Sequence, residues 1–191
     1  MFRSVVMGLG LGAALTASAA AAPPLEAYGR LPAVEDLELS PKGDRVAFIS
    51  VDGEQRQLVV HRLDGKERIR LNAGKAKVRD LSWAGEDHLL ITSSTTGQVM
   101  QFEGTNEWFQ TGAYNLRTRK YVTLLDNTPN TLNSVMGAPV VAKHRGEPAV
   151  FVRGITMKGD GSYDLYRVDL DSGRGAIHSE GGPGVGDWVL T

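Results

Sequence analysis

Cysteine is absent from the 191 residues, which excludes a disulfide framework, a thiolate zinc site and a cysteine nucleophile. An excess of either charge is lacking as well: 21 Lys and Arg face 22 Asp and Glu, a formal net charge of −1. The basic residues are scattered and form no stripe that could neutralise a phosphate backbone, so nucleic acid is not expected as a partner. No apolar run beyond the amino terminus approaches spanning length, so no membrane span is expected in the mature chain. Beyond Pro32, apolar residues almost nowhere recur at helical spacing for the length of an ordinary helix. Gly-x-Ser-x-Gly, the nucleophile elbow of α/β-hydrolases, occurs nowhere, so no residue is assigned a catalytic role.

What is present begins with Met1-Phe2-Arg3, an apolar stretch from Val5 to Leu15 and the small-residue tract Ala17 to Ala22. A positive start, a short apolar core and a small-residue cleavage region predict a secretory signal peptide over residues 1–20, cut after Ala19 or Ala20. Residues 21–33, with Pro23 and Pro24, read as a linker. An export signal ahead of a body expected to be soluble places the protein in the periplasm or outside the cell.

Short β-rich runs fill the rest. Val46-Ala47-Phe48-Ile49, Leu58-Val59-Val60, Leu89-Leu90-Ile91-Thr92, Tyr121 to Leu125 and Ala149-Val150-Phe151-Val152 are each bounded by Gly, Asp, Asn or Lys turns. They fall into repeats. Val34-Glu35-Asp36-Leu37-Glu38-Leu39 aligns with Val78-Arg79-Asp80-Leu81-Ser82-Trp83 and with Val185-Gly186-Asp187-Trp188-Val189-Leu190, and a weaker copy starts at Val135. A Gly-containing turn, an apolar strand, and a longer strand ending in a hairpin (Leu63 to Lys66, Leu116 to Lys120, Leu170 to Arg174) follow each of the first three copies. Asp36, Asp80, Gly137 and Asp187 are spaced by 44, 57 and 50 residues, against roughly 40–50 for a four-stranded propeller blade.

The expected fold is therefore all-β: a partial β-propeller of about three four-stranded blades plus the first strand of a fourth. Blade 1 spans 34–77, blade 2 spans 78–134 with an insertion at 94–107, blade 3 spans 135–184, and residues 185–191 open the next blade. Middle strands pressed between neighbouring blades read as continuous apolar runs, whereas outer strands such as Asp164 to Leu170 alternate. Trp83, Trp108, Tyr114, Tyr166 and Trp188 read as inter-blade packing. Three blades do not close a ring, so either the natural protein continues past Thr191 or partner chains complete it.

Leu39-Ser40-Pro41-Lys42-Gly43-Asp44-Arg45-Val46-Ala47-Phe48 resembles a turn-and-strand element of propellers in prolyl oligopeptidase family serine peptidases, with Lys42 where Asp is usual. The entry Leu31-Pro32-Ala33-Val34-Glu35-Asp36 and the pair Gly112 to Leu116 and Tyr121 to Leu125 are similar to exported bacterial members. The resemblance implies an amino-terminal propeller that limits access of peptide substrates to a carboxy-terminal α/β-hydrolase domain in cis. TolB-like periplasmic propellers share the Ser-Pro-x-Gly turn, so a propeller that binds a protein partner is the alternative.

The remaining candidates read as structural. His61, His88, His144 and His178 are distributed over the repeats with no i,i+4 spacing and no clustered carboxylates, so no metal or acid–base role is assigned. Gly8-Leu9-Gly10-Leu11-Gly12 lies in the signal peptide, and Gly181 to Gly186 lacks the lysine and helix of a phosphate loop. Asp160, Asp164, Asp169 and Asp171 do not match a calcium loop. No cofactor or metal site is assigned. The polar insertion from Ser94 to Glu107 is the feature expected to reach toward a ligand or second domain.

Overall fold

Thirteen β-strands and no helix form among the described residues of the computed structural model, which are residue 29 and residues 32–99, 103–157, 162–182, 184–185 and 187–190. The expected signal peptide and Gly8 to Gly12 lie outside them, as does Asp160. The first four strands, β1 Val34–Leu39, β2 Arg45–Asp52, β3 Gln55–Arg62 and β4 Arg68–Gly74, form a sheet in chain order with antiparallel ladders throughout. The same meander returns as β5 Lys77–Ala84, β6 His88–Gly97, β7 Asn106–Asn115 and β8 Lys120–Thr123. The third unit contains β9 Thr131–Val135, β10 Val140–His144, β11 Glu147–Thr156, β12 Ser162–Val168 and β13 Gly175–Ser179. The chain is all-β and propeller-like, with an incomplete set of blades.

Turn chemistry sets the hairpins. Between β3 and β4, Gly65 takes a φ of 76° and its N–H donates to Arg62 O at 2.9 Å, while Asp64 Oδ1 accepts the Lys66 N–H at 3.0 Å. A left-handed residue flanked by an aspartate that bonds its own backbone is the local cause of the reversal.

The third unit departs from its repeats. Where the pattern predicts one opening strand around Val135 to Val141, the structure has two, β9 and β10, broken at residues 136–139. Gly137 there has a φ of 84°, and Pro139 offers no N–H. Both pieces pair with β11: Val140 lies opposite Phe151, and Val135 opposite Gly154. Val135 also lies opposite Phe109 of β7, which joins the second and third units into one nine-stranded sheet. The aligned position is irregular in all three units. The β1 ladder shifts register between Glu35 and Leu37, with Asp36 at a φ of 45°, and the β5 ladder shifts between Val78 and Asp80. Residues 187–190, expected as a fourth opening strand, form no ladder, because no second strand stands beside them among the described residues.

Two apolar cores lie between the units, and the middle sheet feeds both. Ala47, Ile49, Leu58, Val60 and Ile69 of the first unit meet Leu81, Trp83, Leu89, Tyr114 and Leu116 of the second. Ala84, Leu90, Ala113 and Leu124 meet Val135, Val150, Val152, Tyr166 and Val168 on the other side. Successive strand residues point to opposite faces, so Leu89 and Leu90 enter different cores, as do Tyr114 and Ala113. This two-sided burial explains the apolar run Leu89-Leu90-Ile91 in β6. In the first unit the second face is covered only in part: Val59, opposite Phe48, is buried, whereas Leu37 and Leu39, opposite Phe48 and Val46, remain 59% and 57% exposed.

Tyr166 has a seat shaped by two glycines. A Cβ at Gly154 would lie 2.9 Å from the ring and one at Gly175 would lie 3.0 Å from it, and each would also press on Leu125 at 2.6 Å. With those side chains absent the ring lies flat on both neighbouring strands, and its hydroxyl meets Thr131 Oγ1 at 3.1 Å and Thr156 Oγ1 at 2.5 Å.

Candidate functional site

The family-like turn is an inter-blade joint. Ser40, buried after β1, donates its hydroxyl to Asp44 Oδ1 and accepts the Arg45 N–H, each at 3.1 Å. The Gly43 N–H closes the turn on Ser40 O at 2.8 Å, and Gly43 takes a φ of 72°. The turn then docks on its neighbour: the Lys42 N–H donates to Glu86 Oε1 at 2.9 Å, and Arg45 Nη1 donates to Glu86 O at 3.3 Å. Lys42 thus contributes its backbone to this joint. Nearby, Glu67 holds Arg45 and Arg119, one from each unit, at 3.4 and 3.0 Å.

A second joint links the second and third units. Asp171, in the hairpin after β12, accepts from Asn115 Nδ2 at 2.8 Å and meets His88 Nε2 at 3.2 Å. Asn115 turns its other atom, Oδ1, to the Arg117 and Thr118 N–H groups. The Asn115 hydrogen bond first, and the His88 contact second, hold the Asp171 carboxyl below the usual aspartate range.

Asp164 and Asp169, the other described aspartates of the expected acidic set, each have separate partners. Asp164 is 3% exposed and accepts the Gly181 N–H at 2.8 Å and the Ser162 hydroxyl at 3.2 Å, with Thr156 also bonded to it. Asp169 accepts the Ser172 hydroxyl at 2.6 Å and its N–H at 2.8 Å, and these bonds lower its pKa. Each carboxylate serves its own turn. Among the described residues no three His, Asp or Glu side chains form a group that could hold a metal ion. Gly181 belongs to this structural set too, since a Cβ there would stand 1.9 Å from Tyr163 O.

The histidines are less dispersed than their sequence positions suggest. His144 and His178 come together, ring centroids 5.4 Å apart, and both contact Phe151 edge-on at 6.2 and 4.8 Å. Desolvation, then Arg167, Arg145 and His178, push the His144 pKa down. They stand on β10 and β13, strands with β11 and β12 between them, so i,i+4 spacing cannot register the contact.

The insertion is not a plain loop. Ladder pairs continue through Ser94 opposite Phe109, Thr95 opposite Trp108, Thr96 opposite Glu107 and Gly97 opposite Asn106, so its flanks are strand and the connection narrows to residues 98–105. Its base is clamped. Arg79 of β5 donates from Nε to Ser94 Oγ at 2.8 Å and from Nη2 to Glu107 Oε1 at 2.5 Å, and the Ser94 hydroxyl donates to the same oxygen at 2.6 Å. The bonds from Ser94 and Arg79 lower the Glu107 pKa. Trp108 Nε1 donates to Gly97 O at 2.9 Å across the extension. The β-prone residues Thr95 and Thr96 on one side and Trp108 and Phe109 on the other are the sequence signal that marks it as strand.

Comparison with known families matches residues 37–111 to the anaphase-promoting complex subunit 4 WD40 domain. No curated protein matches the sequence. Among solved structures, a crystal structure described as a conserved lipoprotein from Clostridium novyi NT is similar at 12% identity and a TM-score of 0.44, covering 73% of this chain and 90% of that one. Residues 37–111 are thus similar to a WD40 domain, in keeping with the propeller-like β fold described above.

Proposed function

We propose that these blades are the non-catalytic, access-limiting propeller of an exported prolyl oligopeptidase-like serine peptidase, acting on peptide substrates through a carboxy-terminal α/β-hydrolase domain in cis. The observation that carries this reading is the Ser40 to Asp44 turn. The residues that resemble the family element are those that close the turn and seat it on the next blade. A gate of this kind needs blades that hold their spacing, and the Glu86 and Asp171 joints supply that at both junctions. The signal-peptide reading of residues 1–20 supports a periplasmic or secreted location.

The test is activity-based labelling. The native polypeptide, identified by an antibody against this segment in the source cells, takes up a serine-directed fluorophosphonate, and a heavy native band that stays unlabelled overturns the proposal. The second reading, a TolB-like propeller that binds a protein partner, is favoured by the WD40-type match, since such domains generally mediate protein interactions. It predicts the unlabelled band together with a co-purifying partner.

A further inference from the structure

The second unit differs from its neighbours in one respect: its second strand outruns its first. In the first unit the ladder pairs Val34 with Ser50, and the Val51 N–H donates to Ala33 O at 2.9 Å, so β2 is covered almost to its end at Asp52. In the third, β11 ends at Thr156, itself opposite Thr131. In the second, the last residue of β6 with a partner on this side is Ser94, opposite Lys77, yet β6 continues to Gly97. The chain ahead of Lys77 leaves the strand line through a turn in which the Ala76 N–H bonds Ala73 O at 3.2 Å. Thr95, Thr96 and Gly97 therefore have β7 on one side and no ladder partner on the other among the described residues.

A groove of about 430 Å³ runs beside this edge, lined by Lys75, Lys77, Thr95, Thr96, Trp108 and Gln110. An unpaired strand edge is a template for another strand, since its N–H and C=O groups are already aligned. Here the template is preformed. The Arg79, Ser94 and Glu107 clamp fixes the extension at its base, which reduces the ordering cost of binding. The groove carries a net excess of positive side chains. Lys75 shares its charge with Glu54 at 2.6 Å and Arg79 engages Glu107, while exposed Lys77, near enough to Glu107 to help lower its pKa, makes no ion pair among the described residues.

We infer that this groove docks an extended peptide bearing a carboxylate, added as a strand to the Thr95 to Gly97 edge with its carboxylate at Lys77. Backbone pairing supplies affinity for any extended segment, and Lys77 supplies the preference for acidic ones. The inference stands on ladder register and charge and does not depend on the peptidase reading.

The test uses the full chain and a short fluorescein-labelled Val/Thr peptide with one central Glu and an amidated end, followed by anisotropy. Comparison peptides replace Glu by Gln, replace it by a free terminal carboxylate, or carry N-methyl groups on alternate amides. Binding is expected for the peptides that retain a carboxylate, and the internal and terminal versions show which source is preferred. N-methylation, which leaves the protein untouched, and Lys77→Glu are each expected to weaken binding about tenfold, equivalent to ~1.4 kcal/mol. Amide hydrogen exchange at residues 95–97 is expected to slow on binding. Equal affinity for the N-methylated peptide, an unchanged Kd in Lys77→Glu, or no binding by any peptide overturns the inference. So does self-association of the chain that Thr96→Pro abolishes, because the edge then belongs to a second copy.

Discussion

Leu89 and Leu90 offer the sharpest test of the fold, because adjacent strand residues point to opposite faces and these two enter different cores. Each is 0% exposed, Leu89 in the core shared with the first unit and Leu90 in the core shared with the third. Truncation to alanine removes apolar contact and leaves a cavity, so each single variant is expected to lose roughly 2–5 kcal/mol. For a unit of this size that lowers Tm by at least about 4 °C. The side chains end in separate clusters, so the double variant is expected to lose the sum of the two within about 0.5 kcal/mol. Leu37→Ala, on the exposed face of β1, is the control and is expected to stay within about 0.5 kcal/mol of the parent. Urea and thermal unfolding followed by circular dichroism measure all four. If either Leu89→Ala or Leu90→Ala is as mild as the control, the middle sheet has a solvated face, and the blade account gives way to a two-layer sandwich.

Gly154→Ala forces a methyl group against Leu125 and the Tyr166 ring, and thermal unfolding is expected to show a loss of about 1–3 kcal/mol. Tyr166→Phe keeps the ring and removes the hydroxyl shared with Thr131 and Thr156, with an expected cost of about 0.5–1.5 kcal/mol in urea unfolding. The lowered Asp171 pKa contributes stability that is complete above the ordinary aspartate value of 3.8 and is lost as pH falls through the lowered folded value. Asp171→Asn is therefore expected to lower Tm modestly at neutral pH and to flatten the acid limb of the profile below about pH 4, so that variant and parent converge in acid. The lowered His144 pKa acts in the opposite sense to a paired histidine: the unfolded chain takes the proton first, so stability falls as pH drops below the ordinary value of 6.5. His144→Phe is expected to reduce the Tm difference between about pH 7.5 and pH 5.5.

Local signals made most of the fold readable. The Val-x-Asp copies at Val34 and Val78 mark β1 and β5, and Asp64-Gly65 places a hairpin through chemistry confined to four residues. What escaped the sequence depends on partners distant along the chain. The split of the third opening strand is hinted at by Gly137 and Pro139, yet the second pairing of Val135, to Phe109, depends on the approach of β7. The His144 and His178 contact joins β10 to β13, two strands that are not ladder partners. In the insertion, the polar Thr and Gln residues mask strand extension, because strand faces open to solvent, as at Thr95 and Thr96, need no apolar alternation. The Ser40 turn was visible as a motif, whereas its seat on Glu86 required the neighbouring blade to be in place.

The central claim, that these blades limit access to a peptidase site, is tested most directly by size selectivity. On the native protein, kcat/KM is measured for a short peptide and for a folded protein displaying the same cleavable sequence, alongside an Asp171→Ala, Glu86→Ala variant with both inter-blade joints weakened. The account predicts efficient cleavage of the short peptide, little of the folded protein, and a narrower gap between them in the variant. Equal cleavage of both substrates by the native protein, or the absence of peptidase activity, contradicts it.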